Sequence, residues 1–250
     1  MSRMTTLAIL LCMIVATENC GAQNYSQSDL NADQKIKLTL SSASTPESAR
    51  AYQLFPTQDD LIDRNAAIFY HRAVYLFDTT EARLRAQAEG TETEVGYSND
   101  FSDENLSPEA LANLRTWLAM YESSSLFSEL EFAARSSECD WQIIPEEARS
   151  DWFLRPIPEV QSCQSLGRFL AAKARVEIID GDFEKACQTI KMGFRLGADL
   201  QKTKILVGSL VGIACVNLMR QPLLELIQNN DSPNLYWSLA MIPDLSLIHI

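Results

Sequence analysis

Apolar residues recur along the chain at helical spacing. Leu61, Ile62, Ala66, Phe69, Tyr70, Ala73, Leu76 and Phe77 follow the i, i+3/i+4, i+7 rule of one buried helix face, with Asp63, Arg64 and Arg72 largely outside it. Thr80 to Glu89 extends the pattern as a second, shorter helix before Gly90. Ser107-Pro108-Glu109 starts the next helix with a capping hydroxyl, a proline at the first helical position and an acid facing the dipole. Leu111, Leu114, Leu118 and Tyr121 mark its inner face; Ser123-Ser124-Ser125 breaks the run, and Leu126 to Arg135 resumes it. Leu166, Leu170, Ala174 and Ile178 form one row, Asp180-Gly181-Asp182 a turn, and Phe183, Ala186, Cys187, Ile190 and Phe194 the facing row of a helical hairpin. Ile205 to Met219 is apolar apart from Ser209 and Asn217, and reads as a buried central helix. Gly208 and Gly212 within it allow a neighbouring helix to approach closely. Pro222 is expected to kink or restart that helix, and Ser232-Pro233 to cap a last short one through Tyr236 and Trp237.

These rows predict helices near 59–77, 108–121, 164–179, 183–196 and 204–220. The expected fold is all-α, an irregular stack of antiparallel helical hairpins. Composition agrees, with 31 Leu and 26 Ala against 8 Val among 250 residues. A 46% apolar and 22% charged chain has the makings of a sizeable core.

The ends are set apart from the fold. Arg3, the apolar run Leu7 to Ala16 and the small residues Cys20-Gly21-Ala22 read as a cleaved signal peptide over 1–22, with export to the periplasm or beyond. Its apolar run is shorter than the roughly 20 residues a membrane span needs. Residues 23–58 read as a flexible or extended arm, and 59–244 as a single helical domain. The final hexapeptide, Leu245 to Ile250, reads as the translation of a transposon mosaic end used in sequencing libraries, so the natural protein is expected to continue past Asp244. That reading leaves His71 as the one native histidine.

The net charge of −12 disfavours nucleic acid and anionic membrane surfaces as partners. The acids of 89–109 read as a solvated loop, against a weaker calcium reading at Asp100, Asp103, Glu104 and Asn105 that lacks the EF-hand glycine. His71 lies between Tyr70 and Arg72 on a helix and is poorly placed as a general base. No CxxC, HxxxH, GxGxxG or P-loop pattern occurs, so no metal and no cofactor is implied. Acid pairs such as Glu146-Glu147 or Asp180/Asp182 leave a carboxylate-dependent hydrolase open, and Trp117, Trp141, Trp152 and Trp237 fit either a sugar groove or separate core sites.

An exported chain retains Cys139, Cys163, Cys187 and Cys215. With a hairpin turning near Gly181, Cys187 lies level with residue 175 and far from Cys163. With the next connection turning near Gln201, Cys187 and Cys215 come level on adjacent helices, and Cys187–Cys215 is the pairing expected if any forms, leaving Cys139 and Cys163.

Several stretches carry a resemblance. Asn65-Ala66-Ala67 followed by Tyr70 and Arg72-Ala73, then Cys139-Asp140-Trp141, the hairpin at Gly181-Asp182-Phe183, and Leu235-Tyr236-Trp237-Ser238-Leu239-Ala240 resemble a family of exported, helix-rich bacterial proteins with no assigned activity. Ile68 stands where those proteins have proline. The hairpin with Ala174, Gly181-Asp182-Phe183 and Ala186 also resembles half of a tetratricopeptide repeat, although Lys173 replaces a usual leucine and no second copy follows. The resemblance implies structural parts for Asn65, Tyr70, Arg72, Cys139, Asp140, Trp141, Gly181, Asp182, Tyr236 and Trp237, and brings no catalytic residue. Function is then expected to be that of an exported helical scaffold or protein-interaction module with another protein as partner; the alternative is an envelope-associated hydrolase.

Overall fold

The structure, a computed structural model, describes residues 51–88, 107–142, 158–203 and 205–242. The expected signal peptide, most of the expected arm, the acidic stretch up to residue 106, Glu146-Glu147, Trp152 and the terminal hexapeptide lie outside them. In chain order the described residues form a 3-10 turn Gln58–Asp60, strand β1 Ile62–Asn65, helices α1 Ala66–Ala88, α2 Pro108–Glu122 and α3 Leu126–Ala134, strand β2 Ser136–Glu138, and helices α4 Pro158–Ile179, α5 Phe183–Gln201, α6 Leu206–Gln228 and α7 Tyr236–Ala240.

The fold is mostly helical, with packed helix pairs, and departs from all-α by one small parallel sheet. In it β1 pairs with β2, Ile62 opposite Ser136 and Asn65 opposite Glu138. The expected helix at 59–77 therefore begins later. Asn65 explains the shift: its Oδ1 accepts from the Ala67 backbone N–H at 3.1 Å, the N-cap bond for a helix starting at Ala66. Ahead of that cap the backbone is extended, and the Ile62 N–H donates to the Arg135 carbonyl at 2.7 Å. Leu61 and Ile62 fitted a helical stripe only because Ala66 and Phe69 continue it. From Ala66 the helix runs unbroken to Ala88, so no second helix starts at Thr80. Ser107 caps α2 as expected, accepting from the Ala110 N–H at 3.1 Å.

The α4–α5 hairpin turns as the sequence suggests. The Gly181 N–H donates to the Ile178 carbonyl and the Asp182 N–H to the Glu177 carbonyl, a Schellman ending that requires a left-handed residue. Gly181 supplies it at φ +79°. Across the hairpin, the Thr189 hydroxyl donates to Glu177 at 2.7 Å.

Helix α6 packs on both α4 and α5. A Cβ on Gly212 would lie 2.6 Å from the Gly197 carbonyl oxygen, so the backbones of α5 and α6 touch there. Buried Arg175 of α4 reaches Glu225 of α6 at 2.8 Å. Pro222 sits inside α6 without interrupting it. By length and composition α6 is apolar enough to cross a membrane. It is not the fully buried helix expected, because Leu206, Val207 and Leu210 are 69%, 38% and 49% exposed. The start of α7 also differs: Asn234 Oδ1, in place of Ser232, accepts from the Tyr236 N–H at 3.0 Å.

One core of buried apolar side chains extends from Leu54 to Leu235. The end of the expected arm is thus tied down, with Leu54 fully buried and the Tyr52 carbonyl accepting from the Ser238 hydroxyl.

The two glycine roles separate in a denaturation experiment. A Cβ at Gly181 meets nothing within 4 Å, so Gly181→Ala costs only the left-handed backbone, about 1 kcal/mol. Gly212→Ala overpacks a backbone contact and costs more, about 2–3 kcal/mol. Urea unfolding of both variants checks the order; an equal or reversed ranking contradicts the contact between α5 and α6.

Candidate functional site

Two of the sequence motifs converge on a buried polar centre. Asn65 clamps the segment after β2: its Nδ2 donates to the Asp140 carbonyl at 3.0 Å, and its Oδ1 accepts from the Asp140 N–H at 2.9 Å. That clamp places Trp141 over Tyr70, the rings stacked at 5.5 Å. Both then reach Asp199 of α5, which is fully buried. The Tyr70 hydroxyl donates to Asp199 Oδ2 at 3.1 Å, and Trp141 Nε1 donates to the Asp199 carbonyl at 2.9 Å. Arg195, one turn back on α5, donates from Nε to Oδ2 at 3.0 Å and from its terminal nitrogen to the Ser136 carbonyl at 2.7 Å. Lys202 donates to Oδ1 at 2.7 Å.

Desolvation raises the Asp199 pKa above its ordinary 3.8, against the opposing pull of Arg195 and Lys202. A raised carboxyl pKa means that the folded chain holds its proton longer than the unfolded one. This group's contribution to stability therefore falls as pH climbs from 3.8 through the folded-state value. Burial likewise pushes the Tyr70 phenol and the Cys139 thiol well above their usual values, with Asp199 the next cause for each. Sequence reasoning missed Asp199 and Arg195. Their signal was an i, i+4 pair set among Phe194, Leu196 and Leu200 on an inward face.

The remaining motif residues lie elsewhere. Arg72 is mostly exposed, 3.8 Å from Glu129. His71 is exposed and edges Trp141 at 5.6 Å. Gly181 and Asp182 make the hairpin turn, where the Asp182 carboxylate accepts from Lys185 at 2.8 Å. Tyr236 and Trp237 stand outward on α7, 66% and 54% exposed.

The four described cysteines are free thiols, and the register expected for Cys187 and Cys215 is not the one observed. Gly197 abuts Val216 and Gly212, and Gly193 abuts Met219. Cys215 therefore comes level with residues near 196, leaving Cys187 about nine residues, or ~13 Å, further along. That exceeds the ~7 Å a disulfide allows between Cα atoms. The turn between α5 and α6 comes later than assumed, since α5 runs on to Gln201 and α6 starts at Leu206. Cys215 faces α4 instead, its sulfur 3.8 Å from the Cys163 carbonyl. Burial pushes the Cys187 and Cys215 thiols up to about 12.

Among the described residues, two clefts open between helices. One, of about 360 Å³, lies among α3, α4 and α5 and includes Glu131, Lys173, Glu177 and Lys191. The other, of about 330 Å³, lies among α1, α2 and α4 and is lined by Asp78, Glu81, Arg85, Trp117, Ser165 and Arg168. In it the buried Glu81 accepts from Trp117 Nε1 at 3.0 Å and from the Tyr121 hydroxyl, both on its Oε1. Desolvation and this carboxylate push the Tyr121 phenol above its usual range. Among the described residues no three His, Cys, Asp or Glu side chains group as metal ligands. The residues of the calcium reading lie outside the described part.

Comparison with protein-family models, curated proteins and solved structures returns no match. Residue roles therefore rest on the geometry of this chain.

Two measurements test the centre. Asp199→Asn strands the Arg195 charge and lowers stability by about 3–5 kcal/mol, whereas Arg195→Met/Asp199→Leu is more stable than Asp199→Asn alone. A double variant no better than the single one shows that the two charges do not act as a pair. For the thiols, alkylation at pH 8 with site-resolved mass spectrometry modifies Cys163, Cys187 and Cys215 only after unfolding. Rapid labelling of native Cys215 contradicts its place between α4 and α6.

Proposed function

We propose that the chain is an exported helical interaction module that docks another protein through an apolar face. The observation that carries this reading is the outer side of α6. Leu206, Val207 and Leu210 project into solvent while the opposite side is packed on α4 and α5. Contiguous exposed apolar residues on a helix held by its neighbours favour a docked partner. The −12 charge favours a protein over an anionic lipid surface. The α4–α5 hairpin supports the tetratricopeptide-like part of the reading, with Ala174 and Ala186 both fully buried and Gly181 at the turn.

The alternative of an envelope-associated carboxylate-dependent hydrolase draws less support. A working acid or base needs a proton-transfer position open to substrate. Asp199 is fully buried and held by Tyr70, Arg195 and Lys202.

A photo-crosslinking residue at Leu210, in cells producing the full chain, is expected to give a discrete protein adduct. The same residue at exposed Glu184 gives none, and Leu206→Glu abolishes the Leu210 adduct without lowering the melting temperature. Equal labelling from both positions removes the basis of the proposal.

A further inference from the structure

We infer that the cleft among α1, α2 and α4 binds a small zwitterion of the amino-acid class, its carboxylate on Arg168 and its ammonium group on Glu81 and Asp78. The starting point is Arg168. Its Nε is shut away from solvent and has no hydrogen-bond partner. Among the described residues the two buried guanidiniums each hold a carboxylate: Arg175 holds Glu225, and Arg195 holds Asp199. A guanidinium cannot shed its charge, and leaving one of its donors buried and unmade is costly unless a ligand supplies the acceptor. Of the buried side-chain atoms in this state, Glu129 Oε2, Arg168 Nε and Gln201 Nε2, only the Arg168 atom belongs to a residue lining either cleft described above.

The acids beside it retain acceptor capacity. Glu81 Oε1 takes the bonds from Trp117 and Tyr121, while Oε2 has only Arg85 at 3.7 Å. Asp78 Oδ2 accepts from the Ser162 hydroxyl at 2.9 Å, which leaves Oδ1 for a donor. Two carboxylates and two guanidiniums make the lining neutral as a whole. A bare anion meets Asp78 and Glu81, and a bare cation meets Arg85 and Arg168. A molecule carrying both charges satisfies both pairs. The volume of about 330 Å³ lies at the small end of ligand pockets, roughly 300–1,000 Å³, and suits a free amino acid better than a polymer. This site is separate from the outer face of α6 and stands whether or not that face docks a protein.

Calorimetric titration of the full chain with the proteinogenic L-amino acids, one at a time, tests the assignment. Acetate, methylammonium and inorganic phosphate serve as half-ligand probes. At least one amino acid is expected to bind saturably at one site, with each half-ligand at least tenfold weaker. Arg168→Gln lowers that affinity at least tenfold, and its melting temperature does not fall, because the Arg168 Nε makes no hydrogen bond among the described residues. Asp78→Asn, at the exposed mouth, weakens binding severalfold and provides a second variant independent of Arg168. Saturation by no amino acid, acetate or phosphate binding as well as the best amino acid, or affinity unchanged in Arg168→Gln each overturns the proposal.

Discussion

The charge on Asp199 is the constraint around which the packing is arranged. A buried carboxylate is tolerated only where donors surround it, and here they come from separate parts of the chain. Tyr70 arrives on α1, Arg195 and Lys202 on α5 and the turn after it, and Trp141 grips the same residue's carbonyl from the segment after β2. Arg195 extends the network to Ser136 of β2. The two-stranded sheet and the Asn65 clamp are what bring these donors within reach. Loss of Tyr70, Arg195 or Trp141 removes a hydrogen bond to a buried group, so the centre orients elements that apolar contact alone would leave free to slide.

The second half of the molecule obeys a different rule. There α4, α5 and α6 pack by shape, with small residues at the closest point and one cross-helix ion pair, Arg175 with Glu225. Close approach at Gly197 and Gly212 turns the inner side of α6 entirely toward its neighbours. Its branched side chains on the other side are thereby left to water. The exposed apolar face thus follows from how tightly the opposite face is packed.

Helix existence was legible because the stripes are long. Rows through Leu114 and Leu118, Leu166 and Leu170, and Ile190 and Phe194 each hold one side for several turns, and all are buried. The start of α1 was misplaced because Leu61 and Ile62 fit the same stripe, while the stronger signal, Asn65 as an N-cap, is a single residue. Pro222 does not restart the helix: one missing N–H inside a well-packed helix does not end it. The cysteine register failed because the turn lies a few residues further along the chain, which becomes several ångströms along a helix axis. Among the candidate sites, Tyr70, Asn65 and Trp141 were marked by motif, yet the residue that unites them was one of 33 acids and carried no motif at all. Arg168 was equally invisible, because a buried Nε without an acceptor is a property of surroundings that spacing does not report.

The pairing of β1 with β2 has a consequence for how the chain reaches its native state. Ile62 meets Ser136 at a sequence separation of 74, whereas Glu177 meets Thr189 at a separation of 12. Loop-closure entropy grows with that separation, so the short-range hairpins α4–α5 and α5–α6 can assemble while the strand pair is still apart. Asp199 lies on α5, inside the early-forming part, but Tyr70 and Trp141 come from the late-joining part. During that interval the carboxylate remains hydrated beside Arg195 and Lys202. Its dehydration coincides with closure of the sheet, which makes arrival of the N-terminal half the step that completes cooperative folding.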